Sequence, residues 1–460
     1  MENPNAAALH FDTLLLPEGW AHNVQVRIES GRITAIERDA APRAGIERVA
    51  AALPGMSNVH SHGFQRGMAG LTEYRGPDAD NFWSWRRLMY RFVARMTPDD
   101  LEAITAQAYV EMLESGFTRV GEFHYVHHDP AGRRYANIAE MTERVVAAAD
   151  QTGIALTLLP VFYAHGGFGG TPPNDGQRRF VNDIPAFARL LEAARALVAG
   201  RPDAVVGVAP HSLRAVTPME LGQVASFAGG GPVHIHAAEQ MGEVEQCLAW
   251  SGARPVQWLL DHASVDERWC LVHATHMTEE EVRRLAVCGA VAGLCPITEA
   301  NLGDGIAAAQ DFVAAGGVIG IGTDSNVLIG VNAELRQLEY SQRLRDRARN
   351  VIAPGEHAST GRGLFDATVR GGARALGVAA ANSGVVLGAA ADFVALDGQL
   401  PALAGRSGDA LIDSFVFASA HPGVGEVWRA GRKVVSGGRH VAREAVAARY
   451  CAAVERVLAA

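Results

Sequence analysis

Residues 53–62 read LPGMSNVHSH, a short apolar run that ends in two histidines separated by one position. Side chains alternate between the two faces of an extended strand, so His60 and His62 point to the same side and can share one ion. The same pair is also compatible with two buried, hydrogen-bonded imidazoles, so its meaning depends on what the rest of the chain brings to it.

Seven further runs share this design: TRVGEFHY (118–125), ALTLLPVFY (155–163), AVVGVAPHS (204–212), GPVHIHAAE (231–239), RWCLVHATH (268–276), AVAGLCP (290–296) and VIGIGTDSN (318–326). Each is apolar at its start and polar at its C-terminal end, and helical stretches separate them. One such stretch is TPDDLEAITAQAYVEMLESG (97–116), with a Thr-Pro-Asp-Asp cap and a closing glycine. Repeated strand–helix alternation predicts a parallel sheet. Eight strands with polar C-terminal ends predict an α/β fold closed into a (β/α)8 TIM-like barrel, with its chemistry at that end.

The flanks read differently. NVQVRIESGRITAIE (23–37) alternates Val24, Val26 and Ile28 on one face, turns at Ser30-Gly31 and resumes at Ile33. GVVLGAAADFVALD (384–397) and EVWRAGRKVVSGGRHV (426–441) are again short strands around glycine turns. The expected organisation is a small β-sandwich domain from residues 1–53 and 379–447, a barrel over 54–378, and a C-terminal helix over 448–460 that packs on the small domain or on a partner chain.

Composition narrows the function. The chain has 460 residues, of which 48% are hydrophobic and 20% charged, enough for one large core and a smaller one. Its 41 Lys+Arg against 50 Asp+Glu give a net charge of −9, which disfavours nucleic acid as a partner. Five cysteines without a CxxC pair fit reduced thiols in the cytoplasm. The N-terminal MENPNAAALHFDTLLLP has no basic stretch ahead of its Leu14–Leu16 run, and no export or membrane insertion is expected.

Three more strand ends carry ligand-type residues: His236 in HIHAAE, His273 in LVHATH and Asp324 in GTDS. With the PG-x-x-x-x-HxH opening and the flanking β-segments, these motifs resemble the amidohydrolase superfamily over almost the whole chain. The resemblance implies metal ligation by His60, His62, His236 and Asp324, with one Zn2+ per chain expected from three nitrogens and one carboxylate. Binuclear members bridge two metals with a carboxylated lysine from a middle strand. The only lysine here is Lys433, in the C-terminal β-region, so a mononuclear, deaminase-like site is expected.

By the same resemblance, Glu239 carries a proton to the departing nitrogen, His273 polarises the water or the tetrahedral intermediate, and Asp324 takes the water's proton. The alternative for Glu239 is an ordinary N-cap charge of the helix that follows. His127, His128, His234 and His276 have no matching role and read as structural or solvated.

Gln65, Arg86, Tyr125, His211 and Arg214 fall where barrel loops face the metal. Two arginines with a tyrosine suit a small dicarboxylate, because guanidinium forks bind carboxylates bidentately. Arg86 could also be a surface residue like its neighbour Arg87. HGFQRGMAG, FWSWRRLMY, GEFHYVHH, APHSLRAV and HIHAAEQ together resemble the formimidoylglutamate deiminase (N-formimino-L-glutamate iminohydrolase) family, which implies hydrolysis of N-formimino-L-glutamate to N-formyl-L-glutamate and ammonia in histidine degradation. An aromatic-base deaminase of the guanine deaminase kind would use the same metal set, and a barrel without activity would have no need of it. A homodimer is expected by family analogy.

Overall fold

The computed structural model describes residues 6–76 and 80–459. Eight strands form the barrel: β1 (Met56–Ser61), β2 (Phe117–His124), β3 (Ala155–Phe162), β4 in two pieces (Val205–Val206 and Ala209–Pro210), β5 (Val233–Ala237), β6 (Trp269–His273), β7 (Val291–Leu294) and β8 (Val318–Ile321). Neighbours pair in parallel from β1 to β4 and from β5 to β8. Parallel bridges Val208–Val233 and Ser212–His236 join the two halves, and Ser61–Asp324 closes the ring. Every residue of β3, β5 and β6 is buried, as expected for parallel strands with side chains on one face and helices on the other.

The helices follow their local signals. Pro98–Glu114 starts at Thr97, whose hydroxyl accepts from the Asp100 amide while the Asp100 carboxylate accepts from the Thr97 amide. β4 is interrupted at Gly207, where the carbonyl of Pro232 comes so close that a Cβ would lie 2.5 Å from it. The continuous strand expected over 204–212 is therefore two short ones.

The chain ends build the small β-sandwich domain on one eight-stranded sheet. Its order is Arg439–His440, Arg432–Ser436, Val424–Arg429, Phe393–Leu396, Glu47–Pro54, Ala6–Leu16, Gly19–Glu29 and Arg32–Glu37. Glu47–Pro54 pairs with Phe393–Leu396, so the two termini share one sheet. Phe11, Leu14, Val24, Val26, Ile28, Phe393 and Trp428 fill its core. Ala6–Leu16 is a strand that the sequence reading left unassigned.

Two elements differ from the outline expected for the ends. Helix Asp409–Phe417, within 379–447, packs on the barrel helices Val331–Asp346 and Thr360–Ala375. The closing helix is Arg443–Ala459 and starts before 448, because Arg443 pairs with Glu114 and draws the first turn onto helix Pro98–Glu114. It lies on the barrel, with Arg456 paired to Asp100. Among the described residues no helix is long and apolar enough to cross a membrane.

Candidate active site

The C-terminal ends of β1, β5 and β8 bring His60, His62, His236 and Asp324 together. Nε2 of His60 lies 3.2 Å from Nε2 of His62, 3.1 Å from Nε2 of His236 and 3.3 Å from Oδ1 of Asp324. His62 Nε2 is 3.2 Å from the same oxygen. All four side chains are buried, and their donor atoms lie within 4.8 Å of one another.

Second-layer contacts set the tautomers. Nδ1 of His62 donates to the Phe123 carbonyl and Nδ1 of His236 to the His211 carbonyl, each at 2.9 Å. Their Nε2 lone pairs therefore converge with no proton between them. Burial lowers the pKa of His60 to about 3 and pulls those of His62 and His236 below the ordinary range, so the imidazoles are neutral. Asp324 moves the other way: burial would raise its pKa, but its contacts with His60, His62 and His273 outweigh burial and hold it low. Neutral nitrogen lone pairs and one carboxylate aimed at a common point are the donor set of a divalent ion such as zinc.

The backbone is shaped around this point. His273 and Asp324 take left-handed conformations (φ 70° and 44°), as does Ala238 (φ 54°), at the ends of three strands. The amides of Thr323 and Asp324 both donate to the His60 carbonyl, at 3.0 and 2.9 Å. At Gly322 a Cβ would lie 2.8 Å from that carbonyl, so the GTDS strand needs its glycine to reach His60. Asn58 and Asn326 tie β1 to β8 through Thr323, and Phe123 packs its ring against His60, His62 and His236 at 4.9, 5.4 and 4.5 Å.

Beside the donor set stand Glu239 and His273. His273 Nε2 is 3.8 Å from Glu239 Oε1 and 3.8 Å from Asp324 Oδ2, and its Nδ1 is 3.3 Å from Glu299 Oε1. Burial would lower the pKa of His273, but Glu239, Glu299 and Asp324 together raise it to about 10. Burial raises that of Glu239 to about 7, against the charges of His273 and Arg214. Glu239 is no helix cap: Gln240 occupies that position, and Glu243 accepts from the Ala238 and Glu239 amides.

One cavity joins these groups to the expected substrate contacts. His62, Gln65, Arg86, Tyr125, His211, Arg214, His236, Glu239, His273 and Asp324 all line it, and His60 lies just behind. Gln65 donates to Tyr125 at 2.9 Å, and Arg86 donates to Tyr163 at 3.2 Å. Arg86 belongs to the cavity and only Arg87 faces outward.

Several members of the site were not foreseen. Tyr163, Tyr90, Phe180 and Met89 complete the wall. Tyr163 closes the quoted run ALTLLPVFY, and its strand-end position was the available signal. Trp83 is 5.5 Å from the Arg86 guanidinium and 5.8 Å from that of Arg214. His234 turns away, as alternation requires, and donates to the Ala375 carbonyl; His127 and His128 bond the carbonyls of Val161 and Val181. Lys433, paired with Glu47 and Glu426, is in the small domain, away from the donor set.

A closed barrel with three histidines and an aspartate converging at the C-terminal mouth is the architecture of a metal-dependent hydrolase. The chain belongs to the amidohydrolase family, whose profile matches residues 51–434; residues 7–50 match the formimidoylglutamate deiminase HutF N-terminal domain. It is 51% identical to the formimidoylglutamate deiminase of Pseudomonas aeruginosa, over 95% of this chain and 96% of that one. It is 31% identical to the 5-methylthioadenosine/S-adenosylhomocysteine deaminase of Natronomonas pharaonis, over 76% and 74%. The crystal structure of an amidohydrolase from Brucella melitensis superposes with a TM-score of 0.95 at 55% identity, covering 98% of this chain and 100% of that one.

Proposed function

We propose that this hydrolase converts N-formimino-L-glutamate and water to N-formyl-L-glutamate and ammonia, in the cytoplasm, as a step of histidine degradation. One observation carries the reading: Arg86 and Arg214 line the same cavity as His62, His236 and Asp324, so a small dianion can be gripped at one end while its other end meets the metal. The activity named for the Pseudomonas aeruginosa relative, and the match to the N-terminal domain of the same enzyme, agree with it.

His60, His62, His236 and Asp324 would hold one zinc ion, which when bound supplies Lewis acidity and lowers the pKa of water to roughly 7. Asp324, whose Oδ2 faces His273, is placed to take a proton from that water. Glu239, at about 7, can accept a proton near neutral pH and return it to the leaving nitrogen as the carbon–nitrogen bond breaks. His273, held cationic by three carboxylates, stabilises negative charge developing at the attacked carbon. Gln65, Tyr125 and His211 orient the glutamate moiety between the arginines and the metal. A homodimer is part of the reading by family analogy and is checked by sedimentation.

The deciding experiment is ammonia release by zinc-loaded protein from N-formimino-L-glutamate beside guanine, adenosine and cytosine. Release from the first alone is expected. Release from a base alone would keep the metal donors but overturn the dianion role of Arg86 and Arg214, and would point to an aromatic-base deaminase.

A further inference from the structure

We propose a second metal site on Asp324, His273 and Cys295, which takes a thiophilic divalent ion and switches turnover off. Asp324 presents a different oxygen to each of two donor sets. Its Oδ1 lies 3.3 and 3.2 Å from His60 and His62, while its Oδ2 lies 3.8 Å from His273 Nε2. Cys295 supplies the third donor: its sulfur, a ring nitrogen of His273 and an oxygen of Asp324 all lie within 4.8 Å of one another, and all three residues are buried.

Cys295 follows β7 and packs toward the barrel axis beside Val59, Cys270 and Val272. Among the described residues its sulfur makes only a long contact, 3.9 Å, to the Gly293 carbonyl, so no strong partner there competes for it. Glu299 organises the set from behind, accepting from the Cys295 amide at 2.8 Å and from His273 Nδ1 at 3.3 Å. A carboxylate behind a histidine is the usual outer support of a metal-binding imidazole. Sulfur, nitrogen and oxygen together select zinc or cadmium over hard ions such as magnesium.

Binding releases two protons to solvent, one from the Cys295 thiol as the sulfur–metal contact forms and one from Nε2 of the cationic His273 as the nitrogen–metal contact forms. The second ion takes His273 from the reacting centre, so occupancy stops catalysis. The loss of turnover rests on the function proposed above; the binding does not.

The test starts from protein holding one zinc per chain and adds cadmium. Metal per chain, ultraviolet thiolate-to-cadmium absorption and ammonia release from N-formimino-L-glutamate are followed together. One further ion is expected to bind, with a rise in thiolate absorption and a fall in rate of about tenfold or more, the scale of losing a supporting metal-site residue. Cys295→Ser and Cys295→Ala are expected to keep the one-zinc rate and to lose the second ion, the absorption and the inhibition. A variant that still takes a second ion and is inhibited like the parent, or a parent inhibited with no thiolate absorption, overturns the site.

If both variants fail to fold, the Cys288→Ser/Cys451→Ser double variant decides, since of the buried cysteines it leaves, Cys247, Cys270 and Cys295, only Cys295 belongs to a converging donor set among the described residues. Retained absorption supports the barrel site, and its loss overturns it. Protein that fails to turn over N-formimino-L-glutamate with one zinc would refute the proposed function, while stoichiometry and absorption would still decide the second site.

Discussion

The guanidinium of Arg214 stands 3.8 Å from the carboxylate of Glu239, with both side chains buried in one cavity. In the proposed function Arg214 would meet the substrate's negative end and Glu239 would move protons, so this contact would couple binding to acid–base chemistry.

Arg214→Ala is expected to raise KM for the dianion, since truncating one partner of a buried charged contact costs about 2–5 kcal/mol, roughly 30-fold or more in affinity. The pH profile should move as well. Burial raises the pKa of Glu239 to about 7 and the charge of Arg214 opposes that rise. Removing Arg214 leaves burial less opposed, so the limb of the kcat/KM profile governed by Glu239 shifts to higher pH. A limb that stays in place while KM rises would uncouple the two residues.

Glu239→Gln keeps the shape of the side chain and removes its proton transfer. The expected loss in kcat is about 10²–10⁴-fold, the range for a positioned general acid–base group. Metal content should be unchanged, because Glu239 is not among the four converging donors. Loss of metal together with rate would give Glu239 a different role.

Trp83 packs against both arginines, 5.5 Å from Arg86 and 5.8 Å from Arg214. Trp83→Leu keeps an apolar side chain and removes the ring face, at a cost of about 0.5–2 kcal/mol. The effect should fall on KM, by roughly fivefold, with kcat retained. A drop in kcat at constant KM would show that Trp83 acts elsewhere.

Chelation should remove activity and lower the thermal midpoint together, because an ion bound only by the folded chain stabilises it by about 2.7 kcal/mol at one hundred times its Kd. Zinc should restore both. Activity that survives exhaustive chelation would exclude a metal role for His60, His62, His236 and Asp324.

Far from the site, Arg429 is buried and binds Asp203 at 2.7 Å and Asp392 at 3.0 Å, joining the small domain to the barrel. Arg429→Met should cost about 3–5 kcal/mol, as expected for breaking a buried pair. Burial raises the pKa of Asp203, but Arg429 outweighs burial and leaves it below the ordinary 3.8. The stabilisation is therefore full above 3.8 and lost as pH falls below it. Parent and variant should converge in strong acid; a constant difference in their unfolding midpoints would remove Asp203 from the account.

Legibility followed distance along the chain. His60 and His62 declared themselves through two-residue alternation, and His234 was separated from His236 by the same rule. Thr97 to Asp100 announced a helix start. Lys433, as the sole lysine and far from any barrel strand in sequence, makes a lysine-bridged metal pair unavailable. Ala6–Leu16 escaped because its end does not alternate: Leu14, Leu15 and Leu16 are all buried, although its hairpin partner starts as near as Gly19. Glu299 escaped because its partner His273 ends another strand, and Trp83 because Arg214 is reached from another loop, although Arg86 sits one turn along the same helix, Phe82–Val93.

The sequence by itself determined the kinds of element and the end of each strand that carries chemistry, because backbone periodicity and capping are local and depend on a few neighbouring residues. Only the tertiary structure decided which strand ends meet. Closing β8 against β1 puts Asp324 beside His60, and the left-handed turns at His273 and Asp324 aim one imidazole and two carboxylate oxygens at separate points. Those distances depend on barrel closure, which every strand helps to set and no short stretch of residues encodes alone.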